Sequence, residues 1–185
     1  STTANQNLAS GDGGKNIQIC ADVAGPYEIK VDYTNPASPT VTVTFPTSYT
    51  LTYSIGSVAG NNGNISTSPT TASGSKVLSG NSVTLTGPAA KTGYTWKGWY
   101  TNAAGTTGKI DDTSRAITVT MNADKTLYAC YTENNYTVTV QAGAGGSVAS
   151  TSINGHKDTK VTRPSATANT GYYFTGCTVT TGCET

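Results

Sequence analysis

The sequence predicts an all-β protein assembled from small repeated modules, and three observations carry that reading. The first is internal repetition. Thr92–Tyr100 reads Thr-Gly-Tyr-Thr-Trp-Lys-Gly-Trp-Tyr, and Thr170–Cys177 reads Thr-Gly-Tyr-Tyr-Phe-Thr-Gly-Cys. Upstream of each copy lies a second matching block, Tyr49-Thr-Leu-Thr-Tyr53 against Tyr136-Thr-Val-Thr-Val140, so two ordered blocks recur. Repetition on this scale marks modular architecture. The second observation is composition: only 11% of residues are charged, Met occurs once, and the runs between Gly and Pro are mostly β-branched residues and Tyr, which suit pleated strands. The third is strict apolar–polar alternation over short runs, the period of a half-buried strand.

Composition also bounds function. Thr, being β-branched, fits the solvent face of a strand without charge, so low charge density does not signal disorder. Eleven Tyr supply large apolar bodies with polar tips, suited to thin modules whose cores lie close to water. A formal net charge of +1 over 185 residues provides no basic field for nucleic acid or an anionic membrane. No run approaches the roughly 20 apolar residues of a membrane helix, and no signal-peptide pattern opens the chain. No nucleic-acid partner and no membrane insertion are therefore expected. Ser1-Thr2-Thr3 reads as a cut end.

In chain order, residues 1–15 are polar and Gly-rich and read as a tail or loop. Asn16–Cys20, Tyr27–Tyr33 and Thr40–Phe45 alternate, with Gly25-Pro26 and Asn35-Pro36 between them, and predict a three-strand meander within a first segment, 1–48. Residues 49–133 hold the first full repeat. Its expected strands are Tyr49–Ile55, Ser82–Thr86, Tyr94–Tyr100, Ala116–Thr120 and Thr126–Tyr131, with turns at Gly60–Gly63 and Asn102–Gly105. At most one short helical turn is expected per repeat, here at Ala89-Ala90. Residues 134–185 hold the second copy, which stops within eight residues of Cys177 and has no counterpart of Ala116–Tyr131. A module lacking its closing strand would leave a sheet edge open to pairing.

Within the first repeat, Tyr-Thr-Leu-Thr-Tyr, Gly-Tyr-Thr-Trp-Lys-Gly-Trp-Tyr-Thr and Leu-Tyr-Ala-Cys-Tyr occur in the order that resembles the Listeria–Bacteroides repeat, a β-grasp-like module of internalin B and of many Bacteroides surface proteins. The chain departs from that pattern by an insertion around Gly60–Gly74 and by Cys130-Tyr131. The resemblance implies tandem β-grasp-like modules, a bacterial cell-surface or extracellular setting, a role in spacing or interaction, and no enzymatic activity. A second resemblance covers residues 11–46, where Gly-Lys-Asn-Ile-Gln-Ile, Ala-Asp-Val-Ala-Gly-Pro-Tyr and Thr-Val-Thr-Val-Thr-Phe-Pro46 are similar to the last strands of β-sandwich modules in gut Bacteroidales surface and amylolytic proteins, often starch-binding. It implies a C-terminal remainder of a longer protein with upstream domains as partners.

Each chemical candidate has a plain structural competitor. In a regular strand Tyr94, Trp96, Gly98 and Tyr100 share one face, and Thr95, Lys97 and Trp99 share the other. A bulge at Gly98 swings Trp99 back toward the core. Without one, Trp99, Tyr100 and Lys97 are the candidate glycan platform. Tyr94, Trp96, Tyr172 and Phe174 are expected as structural core. His156-Lys157-Asp158 lacks a serine elbow and reads as a turn. Asp111-Asp112 lacks the oxygen ladder that calcium needs, and ten scattered acids offer no glycosidase pair. No catalytic residue, cofactor or metal is implied.

Of the four cysteines, Cys177 and Cys183 flank a potential hairpin and are the candidate disulfide, worth about 2 kcal/mol to a small module; two free thiols are the alternative. The pairing of Cys20 and Cys130 stays open. The function expected is a non-enzymatic spacer or adhesion segment. The alternatives are a carbohydrate-binding module and an adhesin that binds a host surface protein through an open sheet edge.

Overall fold

The computed structural model describes residues 3–7, of which only the backbone is considered, 28–35, 37, 38 and 40–178. The chain divides into two compact units, Ser1–Thr132 and Glu133–Thr185. The described residues contain no helix.

The first unit opens with β1 (Thr3–Asn7), β2 (Glu28–Asp32) and β3 (Thr40–Thr44), an antiparallel sheet in the order β1-β3-β2. Thr3–Asn7 is thus a strand, where a tail or loop was expected: Thr-Ala-Asn-Gln-Asn supplies no apolar period, yet the backbone pairs along β3 from Thr3↔Thr44 to Asn7↔Thr40. The expected strand at Asn16–Cys20 lies outside the described residues. Val41 and Val43 alternate inward on β3 and are buried.

The rest of this unit is β4 (Ser48–Ile55), β5 (Asn61–Asn62), β6 (Ser66–Ser68), β7 (Ser75–Leu78), β8 (Ser82–Thr86), β9 (Ala89–Ala90), β10 (Tyr94–Tyr100), β11 (Lys109–Asp111), β12 (Ala116–Thr120) and β13 (Lys125–Glu133). Five of them form a sheet in the order β11-β10-β13-β4-β7, and three a second sheet, β12-β8-β6. At the centre of the larger sheet the first and last strands of the repeat, β4 and β13, run parallel, with Lys125↔Leu51 and Ala129↔Ile55. Ala89-Ala90 is no helical turn: it pairs antiparallel with Asn61-Asn62. That pairing satisfies backbone groups which two alanines cannot satisfy in an isolated turn.

The two sheets bury one core. Leu51, Trp99, Leu127, Ala129 and Tyr131 come from the larger sheet, and Val83, Leu85 and Ile117 from the smaller, joined by Met121. On the solvent side, Ser82 Oγ and Thr120 Oγ1, and Thr84 Oγ1 and Thr118 Oγ1, meet at 2.8 Å across β8 and β12, so hydroxyl residues form cross-strand pairs where charges are scarce.

The second unit contains β14 (Asn135–Thr139), β15 (Gly146–Val148), β16 (Ser152–His156) and β17 (Ala166–Ala168). The antiparallel pairs β14–β16 and β15–β17 reproduce the antiparallel pairs β4–β7 and β6–β8 of the first unit. The likeness extends to backbone conformation. Gly93 and Gly171 have φ of 90° and 86°, and Gly98 and Gly176 have φ of 130° and 144°. The amide of Tyr94 donates to Lys91 O at 3.1 Å, and that of Tyr172 to Asn169 O at 3.0 Å. Each of these tyrosines packs on a glycine, Gly60 or Gly145, where a Cβ would collide with its ring.

Candidate functional site

The aromatic strand β10 holds most of the residues singled out in the sequence. Its burial does not alternate beyond Trp96: Gly98, Trp99 and Tyr100 are all buried. Two features produce this. Gly98 occupies φ of 130°, and the pairing with β11 shifts so that Trp99 faces Asp111 while Tyr100 faces Lys109, leaving Ile110 as the extra residue. Trp99 is therefore fully enclosed in the core, and its Nε1 donates to Arg115 O at 3.0 Å. Trp96 packs edge-on against Trp99 at 5.8 Å and against Tyr131 at 5.3 Å, geometries in which ring edges meet negative faces. The Trp96 Nε1 is buried with no hydrogen-bond partner. Tyr94 is half-buried beneath Lys91, whose Nζ lies 4.8 Å from its ring.

As a glycan platform the trio of Trp99, Tyr100 and Lys97 is corrected by this geometry. Stacking on a sugar requires an open aromatic face, and the Trp99 ring has none. Tyr100 is buried, and the half-buried Lys97 places its Nζ 5.8 Å from the Tyr100 ring. The expectation that Tyr172 and Phe174 form core is corrected in the opposite direction, since they are 63% and 48% exposed. None of the described residues of the second unit is buried, because two-stranded ribbons do not enclose a ring as two facing sheets do. Arg163 lies over Phe174 at 5.0 Å.

The ionisable candidates resolve into turn chemistry. Asp111 Oδ1 accepts from the amides of Thr113 and Ser114 and from the Thr113 hydroxyl. The Ser114 and Thr113 amides, then that hydroxyl, hold its carboxyl below the usual range. Asp112 pairs with Lys109 at 2.9 Å. His156 Nδ1 lies 3.0 Å from Asn134 O, and Lys157 pairs with Asp158, a residue at φ of 62°. Among the described residues no three His, Cys, Asp or Glu cluster to hold a metal, and no helix is long and apolar enough to cross a membrane.

Cys130 is a buried free thiol on the face of β13 away from the main core, beside the carbonyls of Asn102 and Ala103. Burial pushes its thiol up, and the charge of Lys97 opposes that only in part. Cys177 is exposed and unbridged among the described residues; Cys183 and Cys20 lie outside them. An open depression of about 490 Å³ along β7, lined by Pro69, Thr71, Lys76 and Leu78 among others, holds no cluster of ionisable groups.

The model of the Listeria–Bacteroides repeat domain matches residues 42–130, and that of the divergent InlB B-repeat domain matches residues 136–184. Residues 42–184 thus carry these two repeat domains in tandem. The Listeria–Bacteroides match begins inside β3, so the final strand of the N-terminal sheet belongs to the matched sequence. Repeats of this family are extracellular modules of larger bacterial surface proteins and are generally non-catalytic. Searches of curated proteins and of solved structures returned no match.

Sequence reasoning missed five strands of the Listeria–Bacteroides repeat: the two-residue β5 and β9, read as a turn and a helical turn, and then β6, β7 and β11. Only the lysine-flanked Val77-Leu78 and Ile110 hinted at the last two, and Ser66-Thr67-Ser68 carries no alternation.

Proposed function

We propose that the chain is a non-enzymatic spacer segment of a larger bacterial surface or secreted protein, with that protein's upstream domains as its first partners. One observation carries the reading. In the Listeria–Bacteroides repeat the aromatic strand is taken up by packing: Trp96 meets both Trp99 and Tyr131 edge-on, and Trp99 and Tyr131 give their polar hydrogens to backbone carbonyls of Arg115 and Pro88. A side chain so engaged holds a module together and offers nothing to a substrate. Only Asn134 separates β13 from β14, and a one-residue connection leaves few backbone dihedrals for bending between successive repeats.

The test is a spin-label distance measurement between one site in each repeat. A narrow distribution that broadens when Gly-Gly-Ser is inserted after Asn134 is expected; a broad distribution in the unmodified chain would remove the spacer reading.

A second reading, binding of starch or another glycan, draws on the exposed Tyr173, at 84%, beside Tyr172. Electrophoresis through gels containing amylopectin, pullulan, xylan or mucin glycans decides it. Unretarded migration is expected; retardation that Tyr173→Ala abolishes would replace the spacer with a carbohydrate-binding module.

A further inference from the structure

We infer that β12 of the Listeria–Bacteroides repeat is a self-association edge, which pairs antiparallel with β12 of a second copy of this chain about a two-fold axis at Val119. The inference goes beyond the spacer reading and does not depend on it.

The two main sheets of this repeat have four edges, and three of them are guarded. β11 is three residues long, carries Lys109 and Asp111, and meets β10 through a register shift. β7 carries the exposed Lys76. β6 has three residues and runs directly into Pro69. Charge, bulges, proline and short length are the devices that keep a sheet edge from pairing with another chain. β12 has none of them. It reads Ala-Ile-Thr-Val-Thr, and its five residues pair with β8 without a shift. Every residue from 40 to 133 is described, so no strand of this repeat remains to cover it.

The backbone defines the groups on offer. Met121 N donates to Asn81 O, and Gly87 N to Arg115 O, each at 2.8 Å, so the odd-numbered residues of β12 face β8. Direction alternates along an antiparallel strand, and the main-chain groups of Ala116, Thr118 and Thr120 therefore point away. Those of Ala116 are taken: its amide donates to Ser114 Oγ at 3.1 Å, and the Ser114 hydroxyl donates to its carbonyl at 2.8 Å. Thr118 and Thr120 are left to a partner.

That cap selects the register. A two-fold pair centred on Thr118 sets Ala116 against Thr120 of the second copy, where Ser114 already holds the groups required, and only the two bonds between the Thr118 residues form. Centred on Val119, the pair sets Thr118 against Thr120 on both sides of the axis, and four main-chain bonds form. Both faces then agree. Thr118 and Thr120 meet as hydroxyl pairs, as they already meet Thr84 and Ser82 at 2.8 Å across β8, and the half-buried Val119 meets its own copy. Charge favours a second copy as the occupant: a two-fold axis lays the strand against itself, and β12 brings no charge to meet its like. One short strand makes a small, transient interface, which display of many copies on one surface strengthens through effective concentration.

The test follows the full chain from micromolar to millimolar concentration by sedimentation equilibrium and residue-resolved amide exchange, with reductant present because Cys177 is exposed. The average mass is expected to rise toward twice that of the chain. Exchange at Thr118 and Thr120 should slow about tenfold over the same range, while Ile117 and Val119 are protected throughout. Thr118→Lys with Thr120→Lys sets like charges opposite each other and should abolish both effects. Thr118→Lys with Thr120→Asp sets opposite charges across the axis and should restore them, although it loses the same hydroxyl pairs to β8. Thr118→Pro removes an outward donor, leaves the ladder to β8 intact, and should keep the chain monomeric.

A monomer at millimolar concentration would overturn the inference, as would association that the double-lysine variant retains or that both double variants lose equally. Protection of Thr118 and Thr120 by an added unrelated peptide, with the chain itself monomeric, would also overturn it by assigning the edge to a foreign segment.

Discussion

At Gly98 the backbone takes φ of 130°, and a Cβ there would meet the carbonyl oxygen of Asp111 and lie 2.9 Å from the Asp112 Cα. The residue is therefore held by both conformation and space, and both are needed to turn Trp99 inward. Gly80, at φ of 84°, has nothing within 4 Å of the same position. The pair separates the two costs. Gly80→Ala should destabilise by about 1 kcal/mol, the strain of a positive φ alone, and Gly98→Ala by about 3 kcal/mol or more, because β11 must also move. Urea unfolding of the two variants measures the difference, and equal losses would show that the contact with β11 contributes nothing.

Tyr131 gives a second residue-level expectation. Its hydroxyl donates to Pro88 O at 2.8 Å within the core, and burial pushes its pKa up to about 12 from an ordinary 10.0. The folded state thus favours the neutral phenol. The associated stability is fully present below pH 10 and is lost as pH rises from about 10 through about 12. Tyr131→Phe should cost about 1–2 kcal/mol at neutral pH through the unpaired carbonyl and should flatten part of the alkaline decline. An alkaline decline as steep in the variant as in the parent would assign it to other groups.

At the scale of elements, legibility followed the strength of local periodicity. Ser82–Thr86 and Tyr94–Tyr100 were readable to the residue because Val83 and Leu85 alternate and because Gly93, at positive φ, marks the start of the aromatic block. Thr3–Asn7 and Ser66–Ser68 were not, since their strand character comes from the partner's backbone and not from their own side chains. Tyr172 and Phe174 were misassigned for a related reason. The local block Gly-Tyr-x-aromatic-x-Gly reproduces the backbone of the first repeat, but burial depends on a facing layer that no local pattern encodes. Trp99 was ambiguous because its direction depends on the β10–β11 register.

The loop between β10 and β11 supplies an element-level test. Ala103 O accepts from the Ser57 amide at 2.7 Å, and Gly105 bends back so that a Cβ there would lie 3.1 Å from the Cys130 Sγ. This loop covers the thiol, whose raised pKa lowers its thiolate fraction as well. Cys130 should resist alkylation in native conditions and react only on unfolding. Replacing Gly105 by Ala, at φ of 62°, should open the loop and speed the reaction. Native alkylation of Cys130 at the rate of an unfolded cysteine would show that the loop does not shield it.

Across the whole molecule the two repeats are built to unequal stability from the same opening plan. The Listeria–Bacteroides repeat closes a core between two sheets, with Leu51, Leu85 and Met121 fully enclosed. The divergent InlB B-repeat repeats the pairings of β4–β7 and β6–β8 but has no buried residue among those described. Burial contributes about 25 cal/mol per Å2 of apolar surface, so a unit of exposed ribbons opens locally at little cost, whereas the first unit opens only with its core. Limited proteolysis of the intact chain should therefore cut first between residues 133 and 178 and leave a resistant fragment ending near Thr132. Amide exchange should show the same order, fast in β15 and β17 and slow in β8 and β13. Because local cleavage tracks the population of the open form, the order of cutting should match the order of amide exchange. Protection of both repeats alike would mean that the two open as one cooperative unit, against the division of the chain near Thr132.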